Sequence, residues 1–527
     1  MVDVMVFTQE DLHHHHSQSV TKPRIPLAAW MIFPLAAALV VIGAKCWMIS
    51  RYGSPTPFWD QWDAEGASLY PQYLDGTLKF SDLLLPHNEH RVLMTRLWSL
   101  LLFDLAGYWD PILQMLANTL ILGAVVALFI AALRPILDCR SWLVFALFST
   151  VIFALPCGWE NTLAGFNSQW YFLLLFTVSG LVVIIDAAAF ALRWWLAALL
   201  LILSYFCMAG GTLTVAAAFA VGVVQFIVGR RSGLRELLAL AILAGLTVVM
   251  AYYTPVLAYH APLKAHSVGQ FIQALMGIMS WPASKVTTFI VWTTVCAMLT
   301  QAPAWLMIID TIRQRPPLTD RRWLAIALVG WVTLQALAIA YGRAAAGTAP
   351  RYLDLLAVGL LLNGACLLYL LSAYPALRHR RRLAIGAIAA WLLPALAGTA
   401  LNVKYSIRDM ADSGAAGRAA TENLRSYLDT GDVRVLQNKA RLEISYPDPQ
   451  RLAMIASTPV IRAHLPPALV GEASAAHARG RGLAQFTGRP IEALKNFALQ
   501  WGVLLIPIGL AFFFWATMQL WREQRHT

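Results

Sequence analysis

The chain has 527 residues, 59% of them hydrophobic and only 13% charged, with a formal net charge of +12 and a mean hydropathy of +0.60. Ordinary soluble domains carry about 25% charged residues, so the composition excludes that class and points to a polytopic helical membrane protein. The six cysteines lie in or beside apolar runs with no C-x-x-C pair, which argues against a disulfide framework or a zinc site.

The positive charge invites a nucleic-acid reading, but its distribution opposes it. Arginines come in bursts between apolar runs: Arg134 and Arg140; Arg230, Arg231 and Arg235; Arg313, Arg315, Arg321 and Arg322; Arg378 and Arg380 to Arg382. Positive charge in short loops marks the cytoplasmic side of a membrane protein and favours anionic lipid headgroups. No aromatic–basic interleaving of the single-strand-binding kind accompanies it. The expected partners include membrane lipids and exclude nucleic acid.

Residues 1–26 read as a cytosolic tail, with His13 to His16 a short run in it rather than a metal site. The first apolar run, 27–49, is too long and lacks the flanking cleavage site of a removable signal peptide. About twelve runs approach the roughly 20 residues needed to cross a bilayer. They fall near 27–49, 112–133, 142–157, 171–190, 195–209, 212–228, 236–256, 285–309, 323–341, 353–373, 383–401 and 498–520. The pair 195–209 and 212–228 is split only by Gly210-Gly211, and one broken helix is the alternative. With the N-terminus inside, every arginine burst falls on the cytosolic side, as do Arg522 and Arg525. The stretch 92–108 is apolar but holds Arg96 and Asp104. As a span it would turn the later bursts outward, so it reads as an interfacial helix or a lead into the second span.

This topology gives a bundle over 27–401 with a large first outer loop, 50–111. A hydrophilic segment, 402–497, reads as a small outer domain, and 498–527 as the last span with a cytosolic tail. Few aromatics in 402–497 limit any core of its own. YPDPQ, 446 to 450, and the prolines after it predict short broken helices. No solenoid-type or inverted repeat is visible.

Chemistry-bearing residues cluster in the outer loops. FWDQWDAEG, 58 to 66, sets Asp60, Asp63 and Glu65 just past the first span, among Phe58, Trp59, Trp62 and Tyr70. Aromatics of this kind line a bilayer boundary. Carboxylates there can deprotonate a hydroxyl or bind a divalent cation; the plainer alternative is a solvated loop. PHNEHR, 86 to 91, closes the same loop. His87 and His90 can ligate metal, move protons or bind phosphate, and Glu89 can act as ligand or base. Arg91 carries the planar fork suited to phosphate. The histidines are three apart, as on one helix face, and capping of the next helix by Asn88 and Glu89 is the alternative. Glu160, beside Trp159 and Asn161, can complete a site with the first loop. Arg343, Arg351 and Tyr352 break the positive-inside trend and suit an anionic partner. Lys264 and His266, in a loop that also holds His260, repeat that signal more weakly. Within the spans ionisable residues are scarce. Lys45 and Asp186 lie near span ends, where snorkelling suffices, and this scarcity favours chemistry at the outer face over transport.

The stretch WDAEGASLYPQYLDGTL, 62 to 78, with its acids, a tyrosine and then glycine, resembles the acidic motif after the first span of the C-type glycosyltransferases. These are multi-span enzymes that use polyprenyl-phosphate-linked sugars. The span number, the large first outer loop and a C-terminal outer region are similar to that superfamily, and 446 onward looks like an uncharacterised bacterial branch. The resemblance implies transfer of a sugar from a polyprenyl-phosphate donor to a glycan or lipid acceptor, at the periplasmic face of a bacterial inner membrane. Asp60 or Asp63 would be the base, with Glu65 beside them. Arg343, Arg351, Tyr352 and Arg91, with Lys264 and His266 in reserve, would bind the donor phosphate. An Mg²⁺ or Mn²⁺ ion on the first-loop acids and Glu160, supported by His87, Glu89 and His90, is an option the superfamily leaves open. Asp-Ala-Glu stands here where many relatives have adjacent Asp-Glu, so Asp60 and Asp63 compete for the role of base. A non-catalytic transporter or assembly protein for lipid-linked glycans is the alternative. A phosphoethanolamine or acyl transferase would need a nucleophile or metal signature, and none is clear.

Overall fold

A chain segment in lipid must satisfy its backbone internally, and the helix does so. The computed structural model describes residues 27–286, 289–346, 348–374, 381–480 and 482–526. Among these there is no strand, and 11 helices are long and apolar enough to cross a membrane. The protein is an all-α, multi-pass membrane protein. The expected tail 1–26 and Arg378 to Arg380 lie outside the described residues.

In chain order the main helices are α1 (Leu27–Tyr52), α2 (Leu93–Ala106), α3 (Pro111–Leu133), α4 (Cys139–Ala154) and α5 (Ser168–Ile184). There follow α6 (Leu192–Tyr205), α7 (Thr212–Ile227), α8 (Leu234–Tyr252), α9 (Val268–Met279) and α10 (Ile290–Gln314). The chain continues through α11 (Arg322–Gly342), α12 (Leu353–Ala373), α13 (Arg381–Thr430), α14 (Ala484–Trp501) and α15 (Leu505–His526).

Helix α6 accounts for the difference between about twelve runs and 11 helices. Its 14 residues rise about 21 Å, short of a roughly 30 Å hydrocarbon core. Helices α6 and α7 are separate, and the chain turns between them at Gly211. A Cβ there would collide with the backbone of Ser204 and Tyr205, so only glycine fits. Segment 92–108 is the first-loop helix α2. Its Arg96 is buried and donates to the carbonyls of Leu83 and Leu85.

The loops sort to two ends. At one end the first loop meets the turns after α6 and α8 and the loop between α11 and α12. The contacts are Met94 N to Phe206 O at 3.4 Å, Arg91 to Tyr253 O at 3.2 Å, and Arg343 to Glu89. At the other end Arg230 donates to the Arg315 carbonyl, Arg321 to Val182 O at 2.9 Å, and Arg231 to the last carbonyls of α5. The arginines of these loops therefore share the end opposite the polar loops.

Helix α13 has 50 residues, about 75 Å of rise. Its C-terminal half runs beyond the bundle beside the first loop, with Thr421 and Thr56 hydroxyls at 2.7 Å. The segment expected as a separate outer domain shares its core with that loop. Leu424, Tyr427, Leu436, Leu452 and Leu465 pack in one cluster with Trp62, Tyr70, Phe103 and Trp109. The scarcity of aromatics in 402–497 is met by aromatics from 62–109, and together they cap one end of the bundle. Helix α15 then returns along α1, with Phe513 and Phe33 rings 5.7 Å apart.

Lys45 corrects an expectation. It does not snorkel: it is 1% exposed and donates to the Leu155 carbonyl at 3.1 Å inside the bundle. Asp186 does lie at a helix end, paired with Arg193 at 2.8 Å.

Candidate functional site

The first-loop acids separate by a change of helical pitch. Trp59 has φ +48°, a rare conformation for a bulky residue and one often kept at functional sites. Its N–H donates to Ser445 O at 2.8 Å. Asp60 then opens a helical stretch whose Trp62–Leu69 part is π-helical, a widened turn common near functional sites. The wide turn carries Trp62 and Glu65 inward and leaves Asp60 half-open, with 55% of its side chain exposed.

The three acids thus meet three environments. Glu65 is 1% exposed and accepts from Gln61 at 3.0 Å, Ser99 at 2.5 Å, Trp109 at 2.9 Å and Gln114 at 2.9 Å. It joins the first loop to α3. Asp63 accepts from Tyr446 at 2.6 Å and from Arg451 Nε at 2.8 Å, so it holds the C-terminal segment on the loop. Asp60 alone faces the other loops. Its nearest ionic partner is His87, Nε2 to Oδ1 3.7 Å. Partial burial pushes the Asp60 carboxyl up, but His87 and Arg351 outweigh it and hold it below the ordinary aspartate value.

PHNEHR is a tight hairpin turn, neither a helix face nor a cap. His87 N donates to His90 O at 2.8 Å and His90 N to His87 O at 3.0 Å. Asn88, at φ +51°, takes the left-handed turn position that asparagine tolerates. The turn pushes Glu89 outward as its tip. Glu89 pairs with Arg343 and lies 3.0 Å from His260 Nδ1. Burial pushes Glu89 up, and a backbone N–H, Arg343 and His260 bring it below its ordinary value. Tyr259 OH donates to Asn88 at 2.6 Å and docks the 257–264 segment on the turn. Arg91 is held by Tyr205 OH at 3.2 Å, Leu84 O at 2.7 Å and Tyr253 O at 3.2 Å. Its fork locks three segments together, which leaves it a structural clamp.

His90 accepts from Ala209 N at 3.4 Å. Burial pushes its imidazole down to about 4, with Glu89 pulling against it and the charge of Arg343 in the same direction as burial. The folded protein therefore keeps His90 neutral. Below about pH 6.5, the ordinary imidazole value, the unfolded chain binds a proton that the folded chain refuses. Stability is thus full above that pH and falls as pH drops. His90→Gln should flatten the dependence of Tm on pH between 7.5 and 5; an unchanged slope would assign the acid sensitivity elsewhere.

On the facing loops, Glu160 Oε2 lies 3.6 Å from Arg351 Nη1 and accepts from the Arg351 backbone N–H at 3.3 Å. The Arg351 guanidinium sits 5.4 Å from the Tyr352 ring centroid, and Tyr352 packs edge-on against Trp170. Arg351 is 44% exposed and Arg343 18%, so Arg351 is the more available cation. Lys264 Nζ lies 5.9 Å from the Tyr341 ring. His266 is exposed, and its backbone N–H donates to Gln270 at 2.7 Å.

The structure therefore joins Asp60, His87, Glu89, His90, Glu160, Arg343 and Arg351 at one end. It assigns Glu65, Asp63 and Arg91 to structural contacts and leaves Lys264 and His266 at the margin. His260 is a member that loop-by-loop reading missed, because only Glu89 on a distant hairpin distinguishes it from His266. Among the described residues no three His, Cys, Asp or Glu side chains converge as a metal site. Asp60 lies beside His87, Glu89 beside Arg343 and Glu160 beside Arg351, so the three carboxylates do not converge on one Mg²⁺ or Mn²⁺ ion. No family model, curated protein or solved structure matches this chain.

Proposed function

We propose that the protein is an integral-membrane glycosyltransferase that moves a sugar from a polyprenyl-phosphate donor to an acceptor hydroxyl. The observation that carries this reading is Asp60: a half-open carboxylate, held in its basic form, within electrostatic reach of the exposed Arg351 at one end of the bundle. The acceptor hydroxyl attacks the anomeric carbon and gives its proton to Asp60. The anomeric C–O bond breaks, and its electron pair leaves with the lipid phosphate. That leaving group needs charge stabilisation more than a proton, and Arg351 supplies it. Arg343 orders Glu89 and the hairpin, and adds positive potential.

The arginine loops at the opposite end support a cytosolic assignment for that end and a periplasmic one for the site. Single cysteines at Ser81 and Ser474 should then both react with an impermeant thiol reagent in intact cells. Protection of both would invert the orientation.

The functional test is release of polyprenyl phosphate from a panel of polyprenyl-phosphate sugars by purified protein. Arg351→Lys should raise the donor KM about tenfold or more, because a point charge cannot reproduce a bidentate fork and each charge-assisted hydrogen bond contributes about 1.5–3 kcal/mol. Phosphatidate added as competitor should leave release unchanged. Unaltered donor kinetics in Arg351→Lys would remove this residue from the phosphate site. The alternative, a carrier or assembly protein for lipid-linked glycans, draws support from Lys45, an ionisable side chain buried in the first span. It predicts donor binding with no release from any sugar in the panel.

A further inference from the structure

The bundle holds a buried acid that the proposed reaction does not use. Asp354, at the start of α12, is 4% exposed. A buried charge without compensation is strongly destabilising, and its retention here calls for a reason. Asp354 packs on Gly158, where a Cβ would strike its carboxylate. Its Oδ2 accepts from Asn161 Nδ2 at 2.8 Å. The same amide nitrogen donates its second hydrogen to the Arg351 carbonyl at 2.9 Å. Asn161 is itself fully buried. One amide group thus ties the buried acid to the backbone of the residue that carries the exposed guanidinium. The Glu160 carboxylate grips the same residue from the other side, through its backbone N–H.

We propose that Asp354 and Asn161 form a buried positioning relay that fixes the Pro350–Tyr352 turn and aims Arg351 at the donor phosphate. The proposal rests on the reading of Arg351 as a phosphate-binding group. Asp354 orients the Asn161 amide, and the amide pins the Arg351 carbonyl. Both are positioning residues, and their effect passes through Arg351.

The test is a double-mutant cycle on the full-length protein in detergent, with polyprenyl phosphate as the probe. Binding is followed by tryptophan fluorescence, and Trp159 and Trp170 adjoin the loops concerned. Thermal unfolding supplies the folded fraction. Arg351→Ala should weaken binding about tenfold or more. Asn161→Ala should weaken it several-fold, and the double variant should bind no worse than Arg351→Ala alone. A merely structural Asn161 would lower Tm without this non-additivity. If Asn161→Ala does not fold, Asp354→Asn takes its place in the cycle, since it keeps the shape and removes the charge. Full additivity, with Arg351→Ala clearly weakened, overturns the relay alone. Unchanged binding in Arg351→Ala overturns the phosphate reading and the relay with it.

Discussion

Asp60→Asn is expected to lower sugar transfer by about 10²–10⁴-fold, the range a positioned general base contributes. The amide keeps the shape and its place beside His87 but cannot take the acceptor proton. Because half of the side chain is open, Tm should move little and the donor KM should stay near that of the wild type. Asp63→Asn supplies the contrast. Its carboxylate serves Tyr446 and Arg451 on the surface of the cap, and exposed ion pairs contribute at most about 1 kcal/mol. Turnover per folded molecule should survive it. The pH profile carries a further sign. Asp60 is held below the ordinary aspartate value, so its basic form is complete above about pH 5 and it should give no limb near neutrality. Full transfer by Asp60→Asn would remove the first-loop acid from the mechanism, whatever the histidines do.

Glu65→Ala is expected to destabilise the protein by about 3–5 kcal/mol, because it leaves a set of buried neutral donors without an acceptor and a cavity in the cap. The loss leaves Gln61, Ser99, Trp109 and Gln114 without the acceptor they share. Each orphaned donor costs about 1–3 kcal/mol, although residual bonds of Gln114 to Tyr70 and Ser99 offset part of this. The network joins the first loop to α3, so the cap should loosen first, and protease sensitivity in residues 58–110 should precede loss of the bundle. Burial pushes the Glu65 carboxyl up. Its contribution is therefore full below the unfolded value of about 4.3 and declines as pH rises through the folded value. Glu65→Gln should retain the fold better and lose that pH dependence. A Tm unchanged in Glu65→Ala would mean that the acid does not hold the cap.

Membrane class, the approximate spans and the shared end of the arginine loops at 230–231 and 315–321 were legible in the sequence. Each depends on a local property, apolar run length or loop charge, that a bilayer reads directly. Helix α6 shows the limit of that rule: its run reads as a span, yet the turn at Gly211 and the helix start at Leu192 leave it short. The loop residues that meet at the site were also legible as candidates, because polar clusters stand out against apolar neighbours.

What the sequence could not say was which of them touch. Asp60, Asp63 and Glu65 lie within six residues of one another, and only the π-helical turn sends them to three different environments. PHNEHR has helical spacing, yet Asn88 turns it into a hairpin and aims Glu89 at Arg343 and His260. Lys45 looks like a snorkelling residue until the bundle buries it against the Leu155 carbonyl. The shared core of the first loop and the C-terminal segment joins residues more than 300 positions apart. By itself, the sequence determined what must be in lipid and what must be in water, since that follows from each segment's own surface. Which polar groups become partners was decided by tertiary packing alone, because pairing depends on helix ends brought together from across the chain.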